Sequence, residues 1–130
     1  MDYNPSPILN LNVEDYTDRI NILSDNFLCY NDIKIVTLCG SVRFKLLYEY
    51  INFIFSLKGF CVFSLASFGH NALGENITSE QKKLLDKTHK SKIKHSDAII
   101  VINPDNYVGE STRNEINYAK AKLVPIFFLE

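Results

Sequence analysis

Four short apolar runs, separated by longer segments of helical character, constrain the fold of this chain more than any other feature. The runs cover residues 33–39, 60–65, 97–103 and 124–129. They are mostly apolar and too short for helices, which is typical of strands buried on both faces. The segments with helical periodicity cover residues 13–29, 43–57, 78–95 and 111–120. This αβαβαβαβ alternation predicts an open parallel sheet covered by helices on both faces.

The expected fold class is a flavodoxin-like or Rossmann-like α/β domain. Because crossovers between parallel strands are right-handed, we expect about four strands in the order 2-1-3-4. A length of 130 residues suits one domain. Residues 1–32 would form an N-terminal arm and an extra helix, and residues 33–130 would form the core. Such sheets bind ligands outside the carboxyl ends of their strands, so the residues after each strand are the first candidates for a site.

Charge and hydropathy exclude several classes of function. The chain has 14 basic and 15 acidic residues, which gives no overall attraction to nucleic acid or to an anionic membrane. No apolar run reaches the roughly 18 residues that span a bilayer, and no secretory signal is visible at the start. We therefore expect a cytoplasmic protein whose partner is a small molecule, not a nucleic acid polymer or a membrane.

The cysteines do not indicate a metal centre. Cys29, Cys39 and Cys61 are odd in number and have neither CxxC spacing nor a paired histidine. This pattern argues against a disulfide framework and against structural zinc. Cys39 lies in a strand-like run, where a buried small apolar residue is the expected interpretation. No metal site and no cofactor are predicted.

The helix predicted over residues 43–57 has two apolar stripes, although packing on a sheet requires only one. The first consists of Phe44, Leu47, Ile51 and Phe55, and the second of Leu46, Tyr50, Phe53 and Leu57. The spare stripe indicates either a homodimer or larger homo-oligomer, or burial under the N-terminal helix. Periodicity alone does not separate these alternatives.

The turn after the first strand has residues suited to phosphate. It reads Gly40, Ser41, Val42 and Arg43 and leads directly into a helix. Glycine lets the backbone approach a ligand, while the hydroxyl, the guanidinium and the free amides of a helix start all donate hydrogen bonds. An ordinary turn with Ser41 as the N-cap would contain the same residues, so the turn alone does not decide the function.

The segment after the third strand brings acidic and hydroxyl side chains to the start of the last helix. It contains Gly109, Glu110, Ser111 and Glu115. Ser111 is expected to cap the helix, which would place Glu115 one turn in and close to the strand ends. Acidic residues in a first turn also complement the helix dipole without any catalytic role.

Together, the Cys-Gly-Ser-Val-Arg turn and the Gly-x5-Glu-Ile-x-Tyr-Ala segment resemble the nucleoside 2-deoxyribosyltransferase superfamily. Within it, the 2′-deoxynucleoside 5′-monophosphate N-glycosidases look closest, because they have a Cys-Gly-Ser-x-Arg turn at the same place. The resemblance covers about residues 33–129. It implies hydrolysis of the N-glycosidic bond of a (deoxy)nucleoside 5′-monophosphate, which releases free base and sugar phosphate.

The resemblance also implies roles for particular residues. Glu115 matches the nucleophile that attacks C1′, and the turn at residues 40–43 would hold the 5′-phosphate with help from Ser111. A second acid, usually Asp, assists the departing base from the preceding helix. Here that position falls at His89, with Asp86 one turn earlier. A further Asp of many transferases is replaced by Gly109.

These departures leave several interpretations open. His89 could donate a proton near neutral pH, or it could be a satisfied core histidine. Asp86 could assist, or it could pair with Lys82 or Lys90 on a solvated face. In the loop after the second strand, Phe68 and His70 could stack on a base or serve packing.

The alternative functions are three. The first is a non-catalytic nucleotide-binding or sensor protein on the same scaffold. The second is a nucleoside deoxyribosyltransferase, and the third is a glycohydrolase of NAD-like dinucleotides.

Overall fold

The fold is a four-stranded, all-parallel sheet with helices on both faces. The computed structural model describes residues 11–69 and 73–130, so most of the predicted N-terminal arm and His70 lie outside the described residues. The strands are β1 (Ile35–Gly40), β2 (Cys61–Phe63), β3 (Ala98–Ile102) and β4 (Ile126–Phe128). The helices are α1 (Thr17–Phe27), α2 (Lys45–Leu57), α3 (Ser79–Lys94) and α4 (Glu110–Ala121). The strand order β2-β1-β3-β4 confirms the predicted fold class and topology.

The two faces of the sheet pack against different helices. Side chains alternate along a strand, so Val36 and Leu38 in β1 join the apolar cluster that contains residues of α1 and α2. Cys39 faces the opposite way and joins the cluster formed with Ile93 of α3 and Ile116 of α4. Both clusters completely bury residues of the central strands β1 and β3, which explains why these two strands are apolar apart from Thr37 and Gly40.

The start of α3 agrees with the prediction from the sequence, whereas the start of α4 does not. At α3, the Gln81 backbone donates to Thr78 Oγ1 and the Thr78 backbone donates to Gln81 Oε1, which is the expected capping box. At α4, Gly109 occupies the N-cap and the helix begins at Glu110, so the prediction that Ser111 caps the helix is wrong. The earlier start places Ser111 inside the first turn, where it lines a cavity described below.

The spare stripe of α2 stays exposed. Phe44, Leu47, Ile51 and Phe55 are buried against the sheet. In the second stripe Tyr50 contacts α1, where Asn21 donates a hydrogen bond to its hydroxyl at 3.5 Å. The remaining members, Leu46, Phe53 and Leu57, are 64%, 59% and 69% exposed. Burial of this stripe under α1 was therefore wrong for three of its four residues, and self-association through it stays a prediction.

The amino ends of the central strands are held by one carboxylate. Asp97 Oδ2 accepts hydrogen bonds from the backbone N–H groups of Lys34 and Ile35, each at 2.8 Å. We call these two bonds the Asp97 clasp. It fixes the start of β1 beside the start of β3.

A second carboxylate joins three distant segments. Glu130 Oε1 accepts from the Tyr16 hydroxyl at 2.8 Å and from the Asp105 backbone at 2.9 Å. Burial, together with the hydrogen bond to Glu130 and its negative charge, raises the pKa of Tyr16 to about 12.

Among the described residues, none of the helices has the length and apolar character needed to cross a membrane.

Candidate active site

A cavity of about 500 Å³ opens at the carboxyl end of the sheet. Segments that follow three different strands line it, and α3 closes one side. The lining residues that matter for chemistry are Gly40, Val42, Ser67, Lys82, Asp86, His89, Lys92, Ser111 and Glu115. This is the switch-point crevice in which open parallel sheets bind ligands, as the topology predicted.

Gly40 lets β1 and β3 approach closely at the floor of this crevice. A Cβ at this position would lie 2.9 Å from the Ile102 backbone oxygen and 3.2 Å from the Tyr48 hydroxyl. The residue also has φ of +154°, which L side chains rarely adopt. The Tyr48 hydroxyl donates a 2.8 Å hydrogen bond to the Gly40 carbonyl and fixes the turn. A glycine is therefore required here for packing as well as for access to a ligand.

Glu115 and His89 meet on the wall of the cavity. Glu115 Oε2 lies 3.9 Å from His89 Nε2, and the two side chains are 14% and 6% exposed. The structure thus brings together the predicted nucleophile and the residue at the predicted acid position. His89 is buried, as the core-histidine interpretation expected, but it also lines the cavity.

The surroundings of His89 favour its neutral form. Burial, and then the positive charge of Lys92, lower the pKa of His89 to about 4, although the Leu38 backbone and Asp86 oppose this in part. This shift disfavours an imidazolium at neutral pH, and the role of His89 as the acid stays a prediction.

Cys39 lies directly behind this pair. Its Sγ is 3.7 Å from His89 Nε2, and the residue is completely buried. Burial, together with the charge of Glu115 and a hydrogen bond to it, raises the pKa of the Cys39 thiol well above its usual range. The sequence predicted no metal-ligating set, but the structure places ligand atoms of Cys39, His89 and Glu115 within 4.8 Å of one another.

Sequence reasoning missed the part that Cys39 plays in the site. The available signal was the alternation of side chains along a strand. Cys39 follows Leu38 in β1, so it points to the opposite face of the sheet, which is covered by the helix that carries His89. The histidine and the cysteine are 50 positions apart, and only the crossover between β2 and β3 brings them together.

Asp86 faces the cavity from the more exposed part of α3. It forms an ion pair with Lys82, whose Nζ donates to Asp86 Oδ1 at 2.7 Å. Both side chains are 52% exposed. This confirms the predicted pairing of Asp86 with Lys82. Both residues line the cavity, and their exposure places the pair at its rim.

The turn after β1 divides between the cavity and the exterior. Gly40 and Val42 line the cavity, whereas Ser41 is buried and its Oγ accepts from the Arg43 backbone at 3.3 Å. This confirms the interpretation of Ser41 as an N-cap, here of a short 3-10 turn at Val42–Phe44. The Arg43 guanidinium lies outside the cavity, 5.0 Å from the centre of the Tyr107 ring.

Of the remaining candidates, those that the structure describes are not among the residues that line the cavity. Phe68 packs edge-on against Tyr48 at 5.2 Å and belongs to the periphery of the apolar core. Gly109 is buried at the N-cap of α4, and Glu110 is exposed to solvent. His70, the other residue considered for stacking on a base, lies outside the described residues.

Comparisons of the chain with models of protein families, with curated proteins and with solved structures find no match. The fold and the cavity define a class: an open parallel α/β domain with a cavity at the carboxyl ends of its strands. The resemblance to the nucleoside 2-deoxyribosyltransferase superfamily stays a prediction that rests on the two sequence motifs.

Proposed function

We propose that this protein hydrolyses the N-glycosidic bond of a nucleoside 5′-monophosphate, with Glu115 as the nucleophile. The observation that carries the proposal is the position of the Glu115 carboxylate, which is 14% exposed on the wall of the switch-point cavity. A volume of about 500 Å³ falls within the range of small-molecule sites.

The chemistry needs one carboxylate next to C1′. A glycosidic bond breaks through an oxocarbenium-like state, which a neighbouring carboxylate stabilises. Glu115 would attack C1′ while the base leaves with the bonding electrons and takes a proton from solvent at its nitrogen. Water would then attack C1′ and release Glu115 and the sugar phosphate. His89 lies next to Glu115 and would accept the proton of that water.

Two cations and a hydroxyl on the lining favour a monophosphate as the substrate. Lys82, Lys92 and Ser111 all line the cavity, and lysines and hydroxyls donate well to phosphate oxygens. Lys92 Nζ currently donates to the Ser64 carbonyl at 2.8 Å. Arg43, the phosphate ligand implied by the resemblance, would have to leave Tyr107 to reach this space.

The decisive experiment is a panel of nucleosides, nucleoside 5′-monophosphates and NAD, with free base followed by chromatography. We expect base release from at least one monophosphate. Glu115→Gln should lower this turnover by about 10³-fold or more, because an amide cannot replace the carboxylate as nucleophile. Glu110→Gln is the matched control, since Glu110 is exposed at the start of the same helix and should leave turnover unchanged.

Full turnover by Glu115→Gln would contradict the mechanism. If nucleotides bind to the wild-type chain and to Glu115→Gln alike but no base is ever released, the protein is a nucleotide-binding protein without catalysis. Base release from NAD alone would identify a dinucleotide glycohydrolase, and transfer of the sugar to an added second base would identify a transferase.

The phosphate contact is tested separately by two alanine variants. If Lys82 holds the phosphate, Lys82→Ala should weaken monophosphates and leave nucleosides nearly unchanged. If the turn holds it, Arg43→Ala should show that selectivity instead. Equal losses for nucleosides and monophosphates in both variants would contradict a phosphate site in this cavity.

A further inference from the structure

We propose that Cys39, His89 and Glu115 form a binding site for Zn²⁺ in the wall of the cavity. His89 Nε2 lies 3.7 Å from Cys39 Sγ and 3.9 Å from Glu115 Oε2. Zinc bonds of about 2.0–2.3 Å at tetrahedral angles place such ligand atoms about 3.4–3.6 Å apart. The three atoms already lie within 4.8 Å of one another, so shifts of about 1 Å would complete the geometry.

The same three residue types could also suggest a thiol nucleophile activated through a histidine, but the geometry argues against it. Such a relay needs the thiol at one ring nitrogen and the carboxylate at the other. Here both groups approach Nε2, and Nδ1 has no partner at hydrogen-bond geometry within residues 11–69 and 73–130. Cys39 is also completely buried. Three ligand atoms within 4.8 Å of one another have the spacing that a shared cation would require.

The chemistry of the donors selects the metal. A thiolate and an imidazole suit Zn²⁺ and similar borderline-soft ions, whereas Mg²⁺ and Ca²⁺ prefer oxygen ligands throughout. On binding, the Cys39 thiol would release its proton to solvent and the sulfur would bond to the metal. His89 and Glu115 line the cavity, so an ion can enter from there, and the fourth position would face the cavity for water or a ligand.

The site stands without the proposed function, because metal binding requires no substrate. If the proposed function also holds, Zn²⁺ should inhibit base release, since it occupies the Glu115 carboxylate. Zinc binding without any base release would retain the site and reject the hydrolase. Base release by a chain that binds no zinc would retain the hydrolase and reject the zinc site.

The first test uses the wild-type chain. Calorimetric titration should show one saturable Zn²⁺ site per chain and no corresponding Mg²⁺ site. X-ray absorption of the zinc-loaded protein should show one sulfur ligand together with nitrogen and oxygen ligands. Absence of saturable binding, or a shell of nitrogen and oxygen alone, would overturn the proposal.

The second test uses Co²⁺ as a spectroscopic probe with matched variants. A thiolate-to-cobalt charge-transfer band should appear in the wild type and vanish in Cys39→Ser. It should persist in the Cys29→Ser/Cys61→Ser double variant, because both of these cysteines are exposed. A band that vanishes only in the double variant would place the metal on the surface cysteines and reject the site.

The histidine provides an independent pair of variants. His89→Gln should lower Zn²⁺ affinity by at least about 100-fold, because even the loss of an outer-shell partner costs 10- to 100-fold. His95→Gln is the control, since His95 is exposed at the end of the same helix. Circular dichroism checks that each variant is folded. Unchanged Zn²⁺ affinity in folded His89→Gln would overturn the proposal even if Cys39→Ser does not fold.

Discussion

The two ends of the sheet differ in how their polar groups are used. At the amino end, the Asp97 carboxylate satisfies two backbone donors at 2.8 Å and closes the structure. At the carboxyl end, His89 and Glu115 lie 3.9 Å apart on the wall of a cavity of about 500 Å³. One end uses a carboxylate to hold strands together, and the other presents a carboxylate to a space that can accept a ligand.

This difference separates stability from function in a way that can be tested. Buried polar groups with satisfied partners contribute to the fold, whereas groups held apart beside a cavity are candidates for chemistry. Substitutions at the amino end should therefore lower stability alone. Substitutions at the carboxyl end should alter the site, and only those that disturb packing should also lower stability.

Gly40→Ala should have the largest effect on stability, because Gly40 lies at the functional end and also in tight packing. The new Cβ would lie 2.9 Å from the Ile102 oxygen. Overpacking and backbone strain together should lower the free energy of unfolding by about 3–4 kcal/mol. Chemical denaturation measures this loss, and Gly59→Ala is the control, because no atom lies within 4 Å of a Cβ there although its φ is also positive. A smaller loss in Gly40→Ala than in Gly59→Ala would contradict the packing argument.

Asp97→Ala should affect stability without affecting the site. Two backbone N–H groups lose their acceptor, so we expect the free energy of unfolding to fall by about 2–3 kcal/mol. Base release and Zn²⁺ affinity, measured below the unfolding transition, should stay unchanged. Asp25→Ala provides the control, because Asp25 is exposed and its ion pair with Lys58 contributes less than about 1 kcal/mol. A loss of site function in folded Asp97→Ala would show that the two ends are coupled.

Tyr16→Phe should have the smallest effect, and this effect should depend on pH. The folded-state pKa of about 12 exceeds the ordinary value of 10.0, so the fold favours the neutral phenol. The corresponding stabilisation is fully present below pH 10.0 and is lost as pH rises towards about 12. The difference in unfolding free energy between wild type and Tyr16→Phe should therefore shrink over that interval. The exposed Tyr30 gives the control variant Tyr30→Phe, and equal pH dependence of both differences would contradict the assignment.

The fold was predictable because its signal is local. The two central strands, β1 and β3, are buried on both faces, so their sequences are largely apolar runs that need no tertiary information to recognise. The ends of the strands were predicted less accurately, because apolar residues continue past the last hydrogen bond between strands. The apolar run at 60–65, for example, contains a strand of only Cys61–Phe63. The N-cap of α4 is Gly109 and not Ser111. The change from extended to helical backbone occurs at Gly109, although no capping side chain is present there.

The site was predictable only in part. Glu115 was found because it lies one turn into a helix that follows a strand and matches the nucleophile implied by the resemblance. His89 was found because it falls at the position of the second acid that the resemblance implies. The position of Arg43 over Tyr107 and the convergence of Cys39 on His89 depend on pairs separated by about 50 or more positions. Neither pair leaves a periodic trace in the sequence, because tertiary contacts of single side chains have no repeat to detect.

The Asp97 clasp also has a consequence for the rate of folding. It joins residues that are 62 positions apart, and the central β1–β3 pair that it begins can form only after that loop has closed. Loop closure costs entropy before the new contacts return any free energy, so sheets of this topology fold more slowly than helical proteins of the same size. The helices α2 and α3 lie within that loop and are available to form early. We expect the pairing of β1 with β3 to be the step that limits folding, with the cavity appearing only once this step is complete.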